Sequence, residues 1–223
     1  MAEHVMYRSE YFDYDEMKFV EALLIPGDTF LDVGANVGDY SLELLNVFSS
    51  PELHCFEPSS SCFKLLQYNL GNRENINLNQ TALGSMKGEM NMYNSGSLYG
   101  TFYPDKKENK QDRERVTIET LDSYCERMAI RNIDFIKIDT EGFEMEVLLG
   151  AKDMLSRGAI QFIQFEYGPN SVQSKTHLRD FFDLLQDHRL YRIVKNGLRP
   201  IHNYYEAMEI PLTSNFLAEI NSN

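Results

Sequence analysis

Four acidic residues each stand at the end of an apolar run: Asp32 in FLDVGANVGDYS (30 to 41), Glu57 in HCFEPS, Asp139 in NIDFIKIDTEG (132 to 142) and Glu166 in AIQFIQFEYG (159 to 168). A carboxylate at the end of a buried strand can accept hydrogen bonds from ligand hydroxyls, take a proton during a reaction, or contribute to a cation site. The run at 30 to 41 is the most informative. A β-rich segment breaks at Asp32 into a glycine-spaced turn and then enters an amphipathic helix, an arrangement that seats a nucleotide-sized cofactor on a parallel sheet. Gly34 and Gly38 lack Cβ atoms, so the backbone can turn sharply and lie directly against a ligand, whose space a side chain would otherwise fill. Glu57 follows 25 positions after Asp32, at the carboxyl end of the next strand, where an acid can accept hydrogen bonds from both hydroxyls of a ribose.

The glycine spacing separates two cofactor classes. A dinucleotide turn reads G-x-G-x-x-G and points a helix N-terminus at a pyrophosphate. Here Gly34-Ala35-Asn36-Val37-Gly38 is one residue wider, with Asp39 where the helix begins. An acid at that N-terminus disfavours a pyrophosphate and suits a ligand with an ammonium group and a sulfonium centre. S-adenosylmethionine carries both beside an adenosine.

Composition narrows the remaining classes. With 223 residues, 43% of them hydrophobic, the chain suffices for one well-buried α/β domain and is short for two. A single domain over 1–223 is expected. The formal net charge of −13 argues against a surface that neutralises phosphate backbones, so no nucleic-acid partner is expected. Cys55, Cys62 and Cys125 show neither C-x-x-C spacing nor an even disulfide count, which fits a reducing, cytoplasmic setting. The N-terminal MAEHVMYRSEYFDYDEM has no basic start leading into an apolar core, and no apolar run reaches ~18 residues, so neither export nor a membrane partner is expected. Oligomeric state leaves no mark in the sequence.

The elements that must position these residues alternate along the chain. A helix over 16 to 24, within an N-terminal helical cap of residues 1–28, precedes the strand through Asp32, and a second helix runs from Asp39 to Phe48. A strand at 52 to 57 leads to a helix capped by the serines at 59 to 61, with Phe63, Leu66 and Leu70 inward. A third strand is predicted over 76 to 83, and MNMY at 90 to 93 reads as a hairpin arm or edge strand. Residues 94 to 115 pass from glycine and tyrosine into a mixed charge run and read as a long surface loop, of which 95–113 is a candidate lid over an acceptor site. A strand near 115 to 119, a short helix from Leu121, and the strands ending at Asp139 and Glu166 follow, with a helix after each. LYRIVKN and FLAEI close the sheet, read as an antiparallel pair. Parallel strands share one carboxyl edge, so Asp32, Glu57, Asp139 and Glu166 should converge on one rim.

VGANVGDYS, FEPS, TALG, the T-L-D at 120 to 122 and IDFIKIDTEGFEMEVLLGA, in this order, resemble the FkbM family of S-adenosylmethionine-dependent methyltransferases over about residues 16 to 167. The resemblance implies a Rossmann-like class I methyltransferase fold: α/β, with helices on both faces of a mostly parallel seven-stranded sheet whose last strand runs antiparallel. It implies methyl transfer, mostly to oxygen of sugars or secondary metabolites, with a small-molecule or carbohydrate acceptor as partner. Carried over by residue, it places the methionine end of the cofactor over Asp32, Gly34, Asn36 and Gly38, and the ribose on Glu57. Pro58 and Ser59 then border the adenine, with Ala82 and Leu83 on its other side; the latter pair can equally be core residues at a strand end.

Methyl transfer from a sulfonium is an in-line displacement, so the acceptor must be aligned, its proton removed and water excluded. Asp139 holds the topological position closest to the transferred methyl, and Glu141 flanks the acceptor side. Glu144, on the first turn of the next helix, reads rather as a partner of the helix dipole. Glu166 and His177 are further candidate bases. The acids could also hold a divalent cation such as magnesium, but no His lies among them, and this reading is not the favoured one. Two other classes stay open: a nicotinamide-dependent oxidoreductase on the same type of sheet, and a non-catalytic module that binds the cofactor.

Overall fold

The computed structural model describes residues 20–48, 51–71, 73–93, 100–103, 113–195, 197–210 and 212–221. The expected N-terminal cap is described only from residue 20, where helix continues to residue 23. The expected lid over 95–113 lies outside the described residues except for 100–103 and 113.

Strands β1 (Thr29–Val33), β2 (Glu52–Phe56) and β3 (Ile76–Asn79) pair in parallel, and on the other side β1 pairs in parallel with β7 (Ile133–Ile138), which pairs in parallel with β8 (Ile160–Tyr167). β11 (Ser214–Ile220) runs antiparallel between β8 and β9 (His188–Val194), so β9 points the same way as β8. β10 (Gly197–Ile201) adds an eighth strand outside β9. The sheet is therefore mostly parallel, with antiparallel strands at one edge, and has one strand more than the seven expected.

Adjacent residues of the central strands serve opposite faces, because side chains alternate along a strand. Phe30, Phe135 and Phe162 pack with Leu44 and Phe48 of α1 (Asp39–Val47, with its following residue) and with Leu66 and Leu70 of α2 (Ser60–Leu70). Leu31, Ile136 and Ile163 pack instead with α3 (Leu121–Met128), α4 (Glu144–Leu149), α5 (Lys152–Ser156) and α7 (Leu178–Leu184). A strand covered on both sides reads as a continuous apolar run, which is why FLDV, IDFIKI and IQFIQF are so apolar.

Three expectations are corrected. The stretch 76 to 83 is two strands, because Ala82–Leu83 (β4) leaves the main sheet to pair with β6 (Arg113–Glu119), itself antiparallel to β5 (Gly88–Tyr93). Ser59 occupies the N-cap of α2 without a side-chain capping bond; the Ser60 N–H is taken instead by Glu114 of β6, at 3.1 Å. A short helix, α6 (Pro169–Ser174), stands between β8 and α7, with Pro169 at its first position, where the missing N–H costs nothing. Among the described residues no helix is long and apolar enough to cross a membrane, and all three cysteines are buried and free.

Candidate functional site

The carboxyl ends of β1, β2, β7 and β8 open onto a cleft of about 1420 Å³. Its first wall is the turn after β1. Gly34 has φ +80°, and a Cβ on it would stand 1.8 Å from the Asp139 carbonyl oxygen; Gly38 has φ +93°, and a Cβ there would stand 2.8 Å from Leu66 Cδ1. The two glycines thus let the turn pack on β7 and α1 pack on α2. This corrects the expectation that a side chain would enter ligand space: the chain itself fills it. Gly34 and Asn36 line the cleft, and Gly38 does not. Asn36 is left-handed without being glycine, with φ 52°.

Asp32 is fully buried beneath this turn, where it accepts from Ser41 Oγ at 2.6 Å and has Lys137 Nζ 3.5 Å from its Oδ1. It is not among the residues lining the cleft and supports the turn from below. Glu57 does line the cleft, as do Pro58, Ser59, Ala82 and Leu83. Its Oε2 accepts the Asn36 N–H at 3.0 Å and its Oε1 the Ser59 N–H at 2.7 Å, so one carboxylate ties the β1 turn to the start of α2. Burial pushes its pKa up to about 7 against the opposing pull of these two bonds.

The second wall carries the acids. Asp139, Glu141 and Glu166 all line the cleft. Asp139 Oδ2 is 3.3 Å from Lys137 Nζ, and its side chain is 42% exposed. Glu141 is left-handed at φ 55° and takes a hydrogen bond from Asn170 Nδ2; burial, then the neighbouring Asp139 and Glu144 charges, raises its pKa to about 7. The Glu166 carboxyl makes no hydrogen bond or ion pair among the described residues, and burial reinforced by Asp139, Glu141 and Glu144 raises its pKa to about 9. Glu144 points inward, where its Oε1 takes the Thr140 and Gly142 N–H groups at 2.8 and 3.1 Å and closes the turn after β7. That is the structural role its helix position suggested.

His177 does not join these groups. Its side chain is 71% exposed, 3.9 Å from Glu209, and α6 carries it away from the rim. Among the described residues no three His, Cys, Asp or Glu side chains are grouped as metal ligands.

Lys137, Tyr40 and Asn170 line the cleft without having been singled out. Lys137 is the cation between Asp32 and Asp139, its Nζ 5.2 Å from the centre of the Tyr40 ring. A lysine inside the apolar run IDFIKI was the available signal, since a buried ammonium needs an acid partner, and its register partner on β1 is Asp32. Phe102 also lines the cleft and packs on Phe143 at 4.5 Å between ring centres. Tyr205 lines the cleft mouth; Tyr204 donates to Glu209 at 2.9 Å.

The family model for the methyltransferase FkbM domain matches residues 32–193. The chain is 25% identical over 197 residues to the 2-O-methyltransferase NoeI of Sinorhizobium fredii, covering 81% of this chain and 80% of that protein. It is 27% identical over 161 residues to the 31-O-demethyl-FK506 methyltransferase FkbM of Streptomyces tacrolimicus, covering 58% of this chain and 62% of that one. The solved precorrin-6y C5,15-methyltransferase of Geobacter metallireducens shares the fold, with a TM-score of 0.52 and 10% identity over 98% of this chain and 96% of that one. The match begins at the acid under the first turn and runs through both walls of the cleft into β9: this chain belongs to the FkbM family of methyltransferases.

Proposed function

We propose that this chain, acting as one domain, transfers a methyl group from S-adenosylmethionine to a hydroxyl oxygen of a sugar, glycan or secondary metabolite. The observation that carries the proposal is the division of one cleft between a backbone-built pocket closed by Glu57 and a cluster of three carboxyls on the adjacent strands. The pocket residues fit the cofactor. Glu57 spends one lone pair of each oxygen on the turn and keeps others for two ribose hydroxyls. Ala82 and Leu83 offer an apolar face opposite Pro58 and Ser59 for an adenine, and the turn from Gly34 to Val37 faces the amino-acid end. When bound, S-adenosylmethionine supplies an electrophilic methyl carbon on a positive sulfur.

The chain's own residues supply the rest. Lys137 holds Asp139 through Oδ2, leaving Oδ1 to receive the proton of an acceptor hydroxyl as its oxygen becomes nucleophilic. Glu141, braced by Asn170, flanks the hydroxyl, and a protonated Glu166 can donate a hydrogen bond to it. The two named O-methyltransferases among the relatives support oxygen as the target atom. No metal enters this reading.

Calorimetry with S-adenosylhomocysteine and with NAD, followed by labelled methyl transfer into sugar nucleotides, glycans and small phenols, tests the proposal. Binding of S-adenosylhomocysteine and label in a base-stable ether support it. Preferential binding of NAD would return the oxidoreductase reading, and binding without turnover on any acceptor the non-catalytic one.

A further inference from the structure

We propose that the β9–β10 end of the cleft is an oxyanion subsite that takes a phosphoryl group carried by the acceptor; this rests on the reading of the cleft as a methyl-transfer site. In a chain of net charge −13, residues 188 to 205 hold Arg189, Arg192, Lys195 and Arg199 and no Asp or Glu. β9 runs in the direction of β8, so its carboxyl end reaches the same rim as Asp139 and Glu166, and Arg192, Lys195 and Arg199 line the same cleft.

Among the described residues no acid pairs with any of the three cations. Arg192 and Arg199 are direct partners across the antiparallel β9–β10 ladder, where like charges repel. The Arg192 side chain donates to the neutral Ser214 hydroxyl at 2.6 Å, and the side chains of Arg199 and Lys195 make no hydrogen bond or ion pair among the described residues. Arg189, which does not line the cleft, has Glu219 at 3.8 Å. Among the described residues, the cations of this stretch left without an acid are thus those that line the cleft. Paired guanidinium forks match the oxygens of a phosphoryl group, and its negative charge would offset their repulsion.

Position identifies what carries the group. β9 lies four strand spacings from β1, about 19 Å, which is too far for the carboxylate of a cofactor seated on the β1 turn. It lies two spacings, about 10 Å, from β8 and three, about 14 Å, from β7. An anion held there belongs to the acceptor, beyond the sugar ring whose hydroxyl faces Asp139. Sugar 1-phosphates and nucleoside diphosphate sugars both present a phosphoryl group in this way.

The test is calorimetry at low salt with inorganic pyrophosphate, glucose 1-phosphate, UDP-glucose and neutral methyl glucoside, on the full chain and on Arg192→Gln/Arg199→Gln. The parent should bind the three anions, weakening as salt is raised. The double variant should lose at least tenfold in affinity for each anion while keeping its affinity for S-adenosylhomocysteine. Tighter binding of UDP-glucose than of glucose 1-phosphate assigns the subsite to nucleotide sugars; equal binding assigns it to the monophosphate. Arg199→Gln removes no side-chain bond among the described residues and repeats the measurement with a single substitution. Equal pyrophosphate affinity in parent and variants, or no pyrophosphate binding by the parent, overturns the subsite. Charge-dependent pyrophosphate binding by a chain that binds no S-adenosylhomocysteine would instead overturn the methyl-transfer reading and leave the subsite standing.

Discussion

Around β1 and β2 the cleft is tied to the chain itself, whereas around β7 and β8 it is left under its own charge. Glu57 and Glu166 are both carboxyls at strand ends, and burial is the largest cause acting on each. In Glu57 the next causes are two backbone N–H bonds, which favour the anion and hold the pKa near 7. In Glu166 they are the Asp139, Glu141 and Glu144 charges, which disfavour it and push the pKa to about 9. The first wall is a mould whose shape needs no ligand to persist; the second stores repulsion that a bound hydroxyl or a proton relieves. In the proposed reaction, binding falls to the first wall and proton handling to the second.

The largest expected effect tests the second wall. In the proposed reaction an acceptor hydroxyl is too weak an acid to lose its proton in advance, so Asp139 would take it only as the new bond forms. Asp139→Asn keeps the shape and loses the basicity, and should lower turnover roughly 10²- to 10⁴-fold with little change in affinity for S-adenosylhomocysteine. Near-parental turnover in the Asn variant would move proton removal to Glu141 or Glu166.

The same contrast explains what could be read from the sequence. The first wall is local: strand, turn, helix and Glu57 lie within Thr29 to Ser59, so spacing placed Gly34 and Glu57 at the cleft, and the family resemblance added Asn36, Pro58 and Ser59. The second wall depends on which strands become neighbours. Parallel pairing of β7 with β8 brought Asp139, Glu141 and Glu166 together as expected, because buried strands announce themselves by composition. The position of His177 was not legible, since a helix of only Pro169–Ser174 decides it. β10 was missed because Gly197 and Pro200 read as loop; Pro200 is tolerated because β10 is an edge strand. The division of 76 to 83 escaped because the partner that captures β4 is β6, more than thirty residues away.

The next effect in size tests the mould. Glu57→Ala removes the proposed ribose acceptor and orphans the Asn36 and Ser59 N–H groups. Affinity for S-adenosylhomocysteine should fall by about 1.5 to 3 kcal/mol, roughly 10- to 150-fold, with acceptor KM little changed. An equal loss in both would mean that the walls are not separate. Smaller again is Glu141→Gln. With its pKa raised to about 7, Glu141 is neutral below that pH and anionic above it, so kcat/KM should rise through about pH 7 in the parent. The Gln variant should flatten that limb and change acceptor KM by roughly tenfold or less. A limb that persists in the variant would assign it to Glu57, which titrates in the same range.

The smallest effect concerns stability and reaches the charge stored on the second wall directly. Glu166 is raised from an ordinary 4.5 to about 9, so between these values the folded protein keeps a proton that the unfolded chain has released. The stability this group contributes is fully present below about pH 4.5, declines as the pH rises, and is gone above about pH 9. Glu166→Gln fixes the neutral state in nearly the same shape. It should leave Tm almost unchanged at pH 5 and raise it at pH 9, by about 2 to 4 °C for each kcal/mol of repulsion and desolvation removed in a chain of this length. Scanning calorimetry at pH 5, 7 and 9 reads the difference. The same substitution at Glu57 should show no such gain, because the amide nitrogen cannot accept the second of its two backbone N–H bonds. A Glu166→Gln variant whose Tm tracks the parent at every pH would show that this carboxyl holds no extra proton, and that the acid wall is no more strained than the mould beside it.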